Sequence, residues 1–121
     1  VIQPMEWVEG KNGNQTLVIY SLGNFMSAQD GDLNMLGGMA SWSIRKNGET
    51  GAISIENVKF YPTVTHFEPV FTKFKSYLLK DYTDELASQH GLNGYAGQKI
   101  TRQLFIDAVN EIMNDQFEII Y

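Results

Sequence analysis

At 121 residues, with 43% hydrophobic and 19% charged side chains, the chain has enough material for one domain with a real core, which excludes wholesale disorder. Its net charge of −5 repels phosphate backbones and anionic lipid surfaces alike, arguing against nucleic-acid partners and against electrostatic membrane contact. The absence of cysteine excludes disulfide and thiolate chemistry, and no run of about eighteen apolar residues is present to span a bilayer.

Residues 1–62 read as β-hairpins. Val1-Ile2-Gln3-Pro4-Met5 looks like a strand already in progress, so further sequence carrying any anchor or export signal is expected ahead of it. Lys11-Asn12-Gly13-Asn14 predicts a hairpin turn, because Asn-Gly tolerates the positive φ angles of a tight reversal. Thr16 to Tyr20 is apolar on both faces, which places it centrally in a doubly covered sheet. Ser21-Leu22-Gly23-Asn24-Phe25 then ends the run in a turn, and the polar, Gly-rich stretch Gln29 to Gly38 reads as an exposed loop. Met39 to Lys46 alternates, with Ala40, Trp42 and Ile44 on one side and Ser41, Ser43 and Arg45 on the other. Asn47-Gly48 predicts a second turn, and Ala52 to Tyr61 the return strand. Ile53 and Ile55 share one face and Val58 and Phe60 share the next, a change of phase that needs a β-bulge near Glu56-Asn57 or else a strand that crosses to a different environment there. Pro62 is expected to end the strand.

Residues 63–80, interrupted by Pro69, read as irregular, with a short strand or helix near Lys73 to Leu79. Residues 81–121 read as helical. Asp81 is a candidate cap for a helix from Tyr82 to His90, with Asp84 and Glu85 in the first turn and Gly91 as the stop. Thr101 caps a second helix, where Ile100 and Phe105 form a hydrophobic staple and Leu104, Ala108 and Ile112 continue one apolar face beside Phe105, Val109 and Met113. Phe117 to Tyr121 suits a terminal strand. The fold class is therefore α+β, an antiparallel or mixed sheet with two C-terminal helices packed against it.

Chemistry-bearing patterns are few. His90, at a helix end, suits the helix dipole, and His66 reads as an ordinary strand or loop histidine. Asp30-Gly31-Asp32-Leu33-Asn34 opens like a calcium loop, but Met35 stands where glycine is needed and Ser41 where a bidentate glutamate is needed. No nucleophile elbow or phosphate-binding glycine pattern occurs. Asp84-Glu85 is a carboxylate pair that serves a helix start. Asn24 stands out as a compact amide at the end of a buried strand, where functional loops emerge; the alternative is a turn in which Asn24 bonds its own backbone.

Val1-Ile2-Gln3-Pro4-Met5-Glu6, followed through an Asn-Gly turn by Val18-Ile19-Tyr20-Ser21-Leu22-Gly23-Asn24-Phe25, resembles the CapA family of capsule (poly-γ-glutamate) biosynthesis proteins. In that family a His-Pro-His type segment runs into Val-x-Gln-Pro, and a later strand reads Tyr-Ser-Leu-Gly-Asn-Phe. Asp81 to Ala87 and His90-Gly91 also look like C-terminal family sequence. The resemblance implies a calcineurin-like metallophosphoesterase fold, to which this chain would supply the second sheet and the C-terminal helices. It implies divalent metal ions in the full-length protein but none held by this chain, because the family's ligands lie in segments upstream of Val1. Asn24 is the one near-site, catalytic candidate that carries over. The upstream part of the same protein and the poly-γ-glutamate machinery are the implied partners, and the outer face of a bacterial membrane the implied location. A phosphoesterase-like hydrolase is the implied activity of the whole, with this chain inactive alone. The competing reading is a non-enzymatic surface domain that binds polymer or protein through Trp7, Trp42 and Tyr61. Unpaired sheet edges further predict self-association into a homodimer.

Overall fold

The computed structural model describes residues 1–121 as an α+β fold with two sheets and two helices. Strands β1 (Met5–Glu9) and β2 (Gln15–Ile19) form the expected hairpin, with Met5 opposite Ile19 and Glu9 opposite Gln15. Gly13 carries the positive φ of its turn. β2 is not the central strand expected from its sequence. Its only strand partner is β1, Thr16 is exposed and Leu17 to Ile19 are half-buried. An apolar run marks a doubly covered strand only if both faces find a layer, and here Leu17 and Ile19 alone reach the core.

The expected exposed loop Gln29 to Gly38 is also corrected. It closes in a 3-10 turn over Asp32–Met35, where Asp32 Oδ1 accepts the Leu33 amide at 2.8 Å. Met35 and Leu36 are wholly buried, and Leu36 already begins strand β3 (Leu36–Lys46). β3 pairs antiparallel with β4 (Ile53–Glu68). Their connection is longer than an Asn47-Gly48 turn. Asn47 Oδ1 accepts the Glu49 and Thr50 amides, and Gly51, not Gly48, takes the positive φ. The bulge falls where the change of phase requires it: the register skips between Ser41 and Ser43, and Asn57 adopts φ 54°.

Pro62 does not end β4, which runs six residues past it to Glu68. Phe60 accepts the Ile120 amide on the side away from β3, so by strand alternation the nitrogen of Pro62 faces that side too. On that side β4 pairs with β6 (Glu118–Ile119) at Lys59 and Phe60 and with β5 (Thr72–Leu78) only from Thr63 onward. The missing N–H therefore falls in the gap between two partners and costs no ladder bond. Residues 63–80 are accordingly not irregular but the second half of β4, then β5 and a 3-10 turn over Leu79–Asp81.

Helix α1 is shorter than expected, Asp84–Ser88, and Thr83 rather than Asp81 caps it by accepting the Leu86 amide at 3.2 Å. Tyr82 stays outside the helix with its ring buried. Helix α2 (Arg102–Ile112) matches its sequence pattern: Thr101 Oγ1 accepts the Leu104 amide at 3.1 Å, and both staple residues, Ile100 and Phe105, are buried. Its inner face of Phe105, Ala108 and Val109 packs on the sheet beside Phe60, Val64 and Tyr82. Each large apolar side chain removed from water there contributes about 1.5–3 kcal/mol. No helix is long and apolar enough to cross a membrane.

Candidate functional site

Segment 20–26, which carries Asn24, is held rigidly at its backbone. Ile2 bridges Leu22 on one side and Gly37 bridges Gly23 on the other. Ser21 Oγ donates to the Val1 carbonyl at 3.0 Å and accepts the Gly23 amide at 3.1 Å. Gly23 has φ 69°, and a Cβ there would stand 2.8 Å from the Leu36 carbonyl oxygen. At Gly37 a Cβ would stand 2.0 Å from the Asn24 carbonyl oxygen. The two glycines therefore let three strands of backbone cross within van der Waals distance. Beyond the crossing, Ser76 Oγ donates to the Phe25 carbonyl, which ties the segment to β5.

Asn24 does not bond its own backbone. Its Nδ2 donates to Gln29 Oε1 at 3.1 Å and to the Asn34 carbonyl at 3.3 Å, so it fastens the following loop. Beneath this segment, Thr63 and Thr65 project from one face of β4, with Ser76 opposite Thr65 on the same face. The hydroxyls of Thr63 and Thr65 are buried and bonded to no protein group. The side chains of the segment point the other way: Tyr20, Phe25 and Met26 are 55%, 65% and 53% exposed, with Leu22 also exposed. Tyr20 hydrogen-bonds Glu6, and that bond raises the phenol above its ordinary value.

A second cluster lies on the opposite face of β4, and sequence reasoning missed it. His66 and His90, 24 residues apart, meet edge to face in the core with ring centroids 5.4 Å apart. His66 Nδ1 lies 2.8 Å from the Tyr82 hydroxyl, while its Nε2 is buried with no partner. His90 Nε2 donates to the Thr65 carbonyl at 3.0 Å, and its Nδ1 accepts the Leu92 amide at 3.1 Å. His90 is thus a core residue beyond the helix, not a side chain serving the dipole of α1. Burial holds both imidazoles below the ordinary histidine value. Glu68 pulls His66 the other way; the Thr65 carbonyl opposes, and His66 reinforces, the shift of His90. Burial also drives the Tyr82 phenol far up. The available signal was that His66 continues the alternate positions Phe60, Pro62 and Val64, together with the close backbone approach that Gly91 permits.

The residues present do not fit the divalent ion that the resemblance implies. An ion needs several donors converging on one point. No three His, Asp or Glu side chains cluster in this chain, and both nitrogens of His90 are already engaged. Asp32 Oδ1 serves the 3-10 turn, Asp84 Oδ1 accepts the Arg102 amide, and Asp30, whose backbone carbonyl accepts from Asn34, has the Tyr95 hydroxyl 3.5 Å from its carboxylate. The aromatics of the competing reading are dispersed in role: Trp7 stacks on Phe117, Tyr61 is half-buried, and Trp42 is exposed. Comparison with protein-family models, curated proteins and solved structures finds no match to this chain.

Proposed function

We propose that this chain is the C-terminal part of a CapA-like protein of capsule or poly-γ-glutamate biosynthesis, acting as the scaffold that completes a metallophosphoesterase-like domain. The observation that carries the reading is the contrast within segment 20–26. Its backbone is fixed by two bridges and two glycine crossings, yet the side chains of Tyr20, Leu22, Phe25 and Met26 are exposed. Several exposed large apolar side chains on a fixed segment suit a surface to be covered by another part of the same protein. The metal ligands and the reacting groups belong to that upstream part. The contribution of this chain is to seat them, with Asn24 fixing the loop beside the seam.

The test is to produce the chain joined to the upstream portion of a CapA-like protein and to compare it with the chain alone. Amides and side chains of 20–26 are expected to gain protection on joining. Hydrolysis of a simple phosphodiester is expected only in the joined protein with a divalent ion. Unchanged exposure of Tyr20, Phe25 and Met26 in the joined protein would contradict the reading.

A second reading is favoured by the β3–β4 arm. Ile44 faces Ile55 and Lys46 faces Ile53, so Trp42, Ile44, Ile53 and Ile55 share one face, while Ser43, Arg45, Ser54 and Glu56 share the other. Ile44 and Ile53 are each 68% exposed, and Ile53 and Ile55 line a groove of about 840 Å³ whose far wall is Trp7. On this reading the arm is a binding element of a non-enzymatic surface domain. Chemical-shift changes at Trp42, Ile44 and Ile53 on adding a γ-glutamate oligomer would support it, and their absence would remove it.

A further inference from the structure

Past Val64, β4 loses β3 as a partner, because the ladder ends where Leu36 faces Val64. The carbonyls of Thr65 and Phe67 point to that vacated side, and neither is left to solvent. His90 Nε2 donates to the Thr65 carbonyl at 3.0 Å and the Gly91 amide donates to the Phe67 carbonyl at 2.7 Å. An imidazole and one backbone amide thus stand in for a strand. A Cβ at Gly91 would lie 2.3 Å from the Phe67 ring, so the segment is pressed against β4. The next turn continues from the same ring: His90 Nδ1 accepts the Leu92 amide, and Asn93 Oδ1 accepts the Ile100 amide at 2.7 Å.

Only one form of His90 satisfies both bonds, the neutral ring with its proton on Nε2. A proton on Nδ1 sets N–H against the N–H of Leu92 and breaks the second bond. It also places a cation 5.4 Å from the His66 ring in a dry core. His66 loses no bond on protonation, because the Tyr82 hydroxyl can accept from Nδ1–H, but its Nε2 is buried with no partner, so a charge on this ring is poorly compensated. The groups facing the pair are few. Tyr82 lies above His66, and Tyr77 of β5 packs edge-on against it at 5.9 Å. Lys75 is its register partner, but the Lys75 ammonium sits 4.8 Å over the Tyr77 ring. Glu68 is the nearby carboxylate and is held by Lys73 at 2.8 Å. Phe67 closes the His90 side.

We propose that the His66–His90 pair is an acid-sensitive latch: protonation releases residues 82–100, α1 included, from the end of β4 that β3 leaves unpaired, while the remaining sheet and α2 stay folded. The sign follows from the proton count. The latched form keeps both rings neutral, whereas released rings take up protons below about pH 6.5. The latched state therefore loses stability as the pH falls through that value and keeps it above.

The test is amide hydrogen exchange on the full chain, read as protection factors corrected for intrinsic rate, from pH 7.5 to 5. The Gly91 and Leu92 amides are expected to lose about tenfold or more in protection. Amides of Phe105 to Val109 are expected to hold. His90→Gln keeps a donor for the Thr65 carbonyl without a titrating ring and should flatten much of the dependence. If that variant fails to fold, carbon-13 titration of the two imidazoles in the unaltered chain serves instead, with both expected to titrate below ordinary histidine and in step with the loss of protection. Full protection of Gly91 and Leu92 at pH 5, or equal loss across α2, would overturn the proposal.

Discussion

Gly37 sits where the carbonyl of Asn24 crosses the sheet, and the crossing leaves no room for a methyl group. Gly37→Ala must push backbone against backbone, because the atom in the way is not the end of a flexible side chain. The expected cost is about 1–3 kcal/mol, the usual range for overpacking. Denaturant unfolding measures it, and hydrogen exchange should show the loss concentrated in residues 20–26. Gly48→Ala is the control: a Cβ there meets nothing within 4 Å, and the midpoint should stay near that of the unaltered chain. The sequence singled out Asn24 as an amide closing a buried strand, but β2 ends at Ile19 with β1 as its one partner, and Asn24 follows two isolated bridges beyond it. That it reaches forward to Gln29 and Asn34, and does not close on itself, depends on a loop path that no local pattern encodes. The two histidines were less legible still. Their meeting needs β4 to continue past Pro62, and a proline in a strand can be read only once its neighbours on either side are known.

At the scale of elements, α2 was the most legible. Cap, staple and apolar stripe all lie within a dozen residues and all point to one helix, as local rules do when tertiary structure has no reason to override them. Thr101→Ala removes the acceptor for the Leu104 amide and should cost about 1 kcal/mol, read as a lowered thermal midpoint with no change in strand content. The bulge at Asn57 was legible for a similar reason, since a side-chain alternation that slips by one needs one extra residue in the ladder. β2 was misread because an apolar run reports hydrophobic demand and not how many layers are present to meet it. α1 was misplaced because Tyr82 has high apolar area and sits beside a capping candidate, yet its ring is needed in the core against His66 and Phe105.

For the molecule as a whole, the α+β class follows from strands preceding helices in the chain, and one core of Phe60, Val64, Tyr82, Phe105 and their neighbours joins them. What lay beyond local pattern is the division of the molecule into two differently finished surfaces. The helices close one face of the four-stranded sheet, while segment 20–26 crosses the other and displays its apolar side chains outward. The buried imidazoles face inward, with both nitrogens of His90 committed to Thr65 and Leu92 and Nδ1 of His66 to Tyr82, while His66 Nε2 has no partner. The carboxylates lie apart from them, with no three ligand-type side chains converging. On the proposed reading, this distribution suits a scaffold that seats cation ligands carried by another part of the protein. The direct measurement is isothermal calorimetry of manganese and zinc ions titrated into the folded chain by itself at neutral pH. The scaffold account predicts no saturable heat with either ion. Stoichiometric binding by these 121 residues, abolished by His66→Ala or Asn24→Ala in a chain that remains folded, would contradict it.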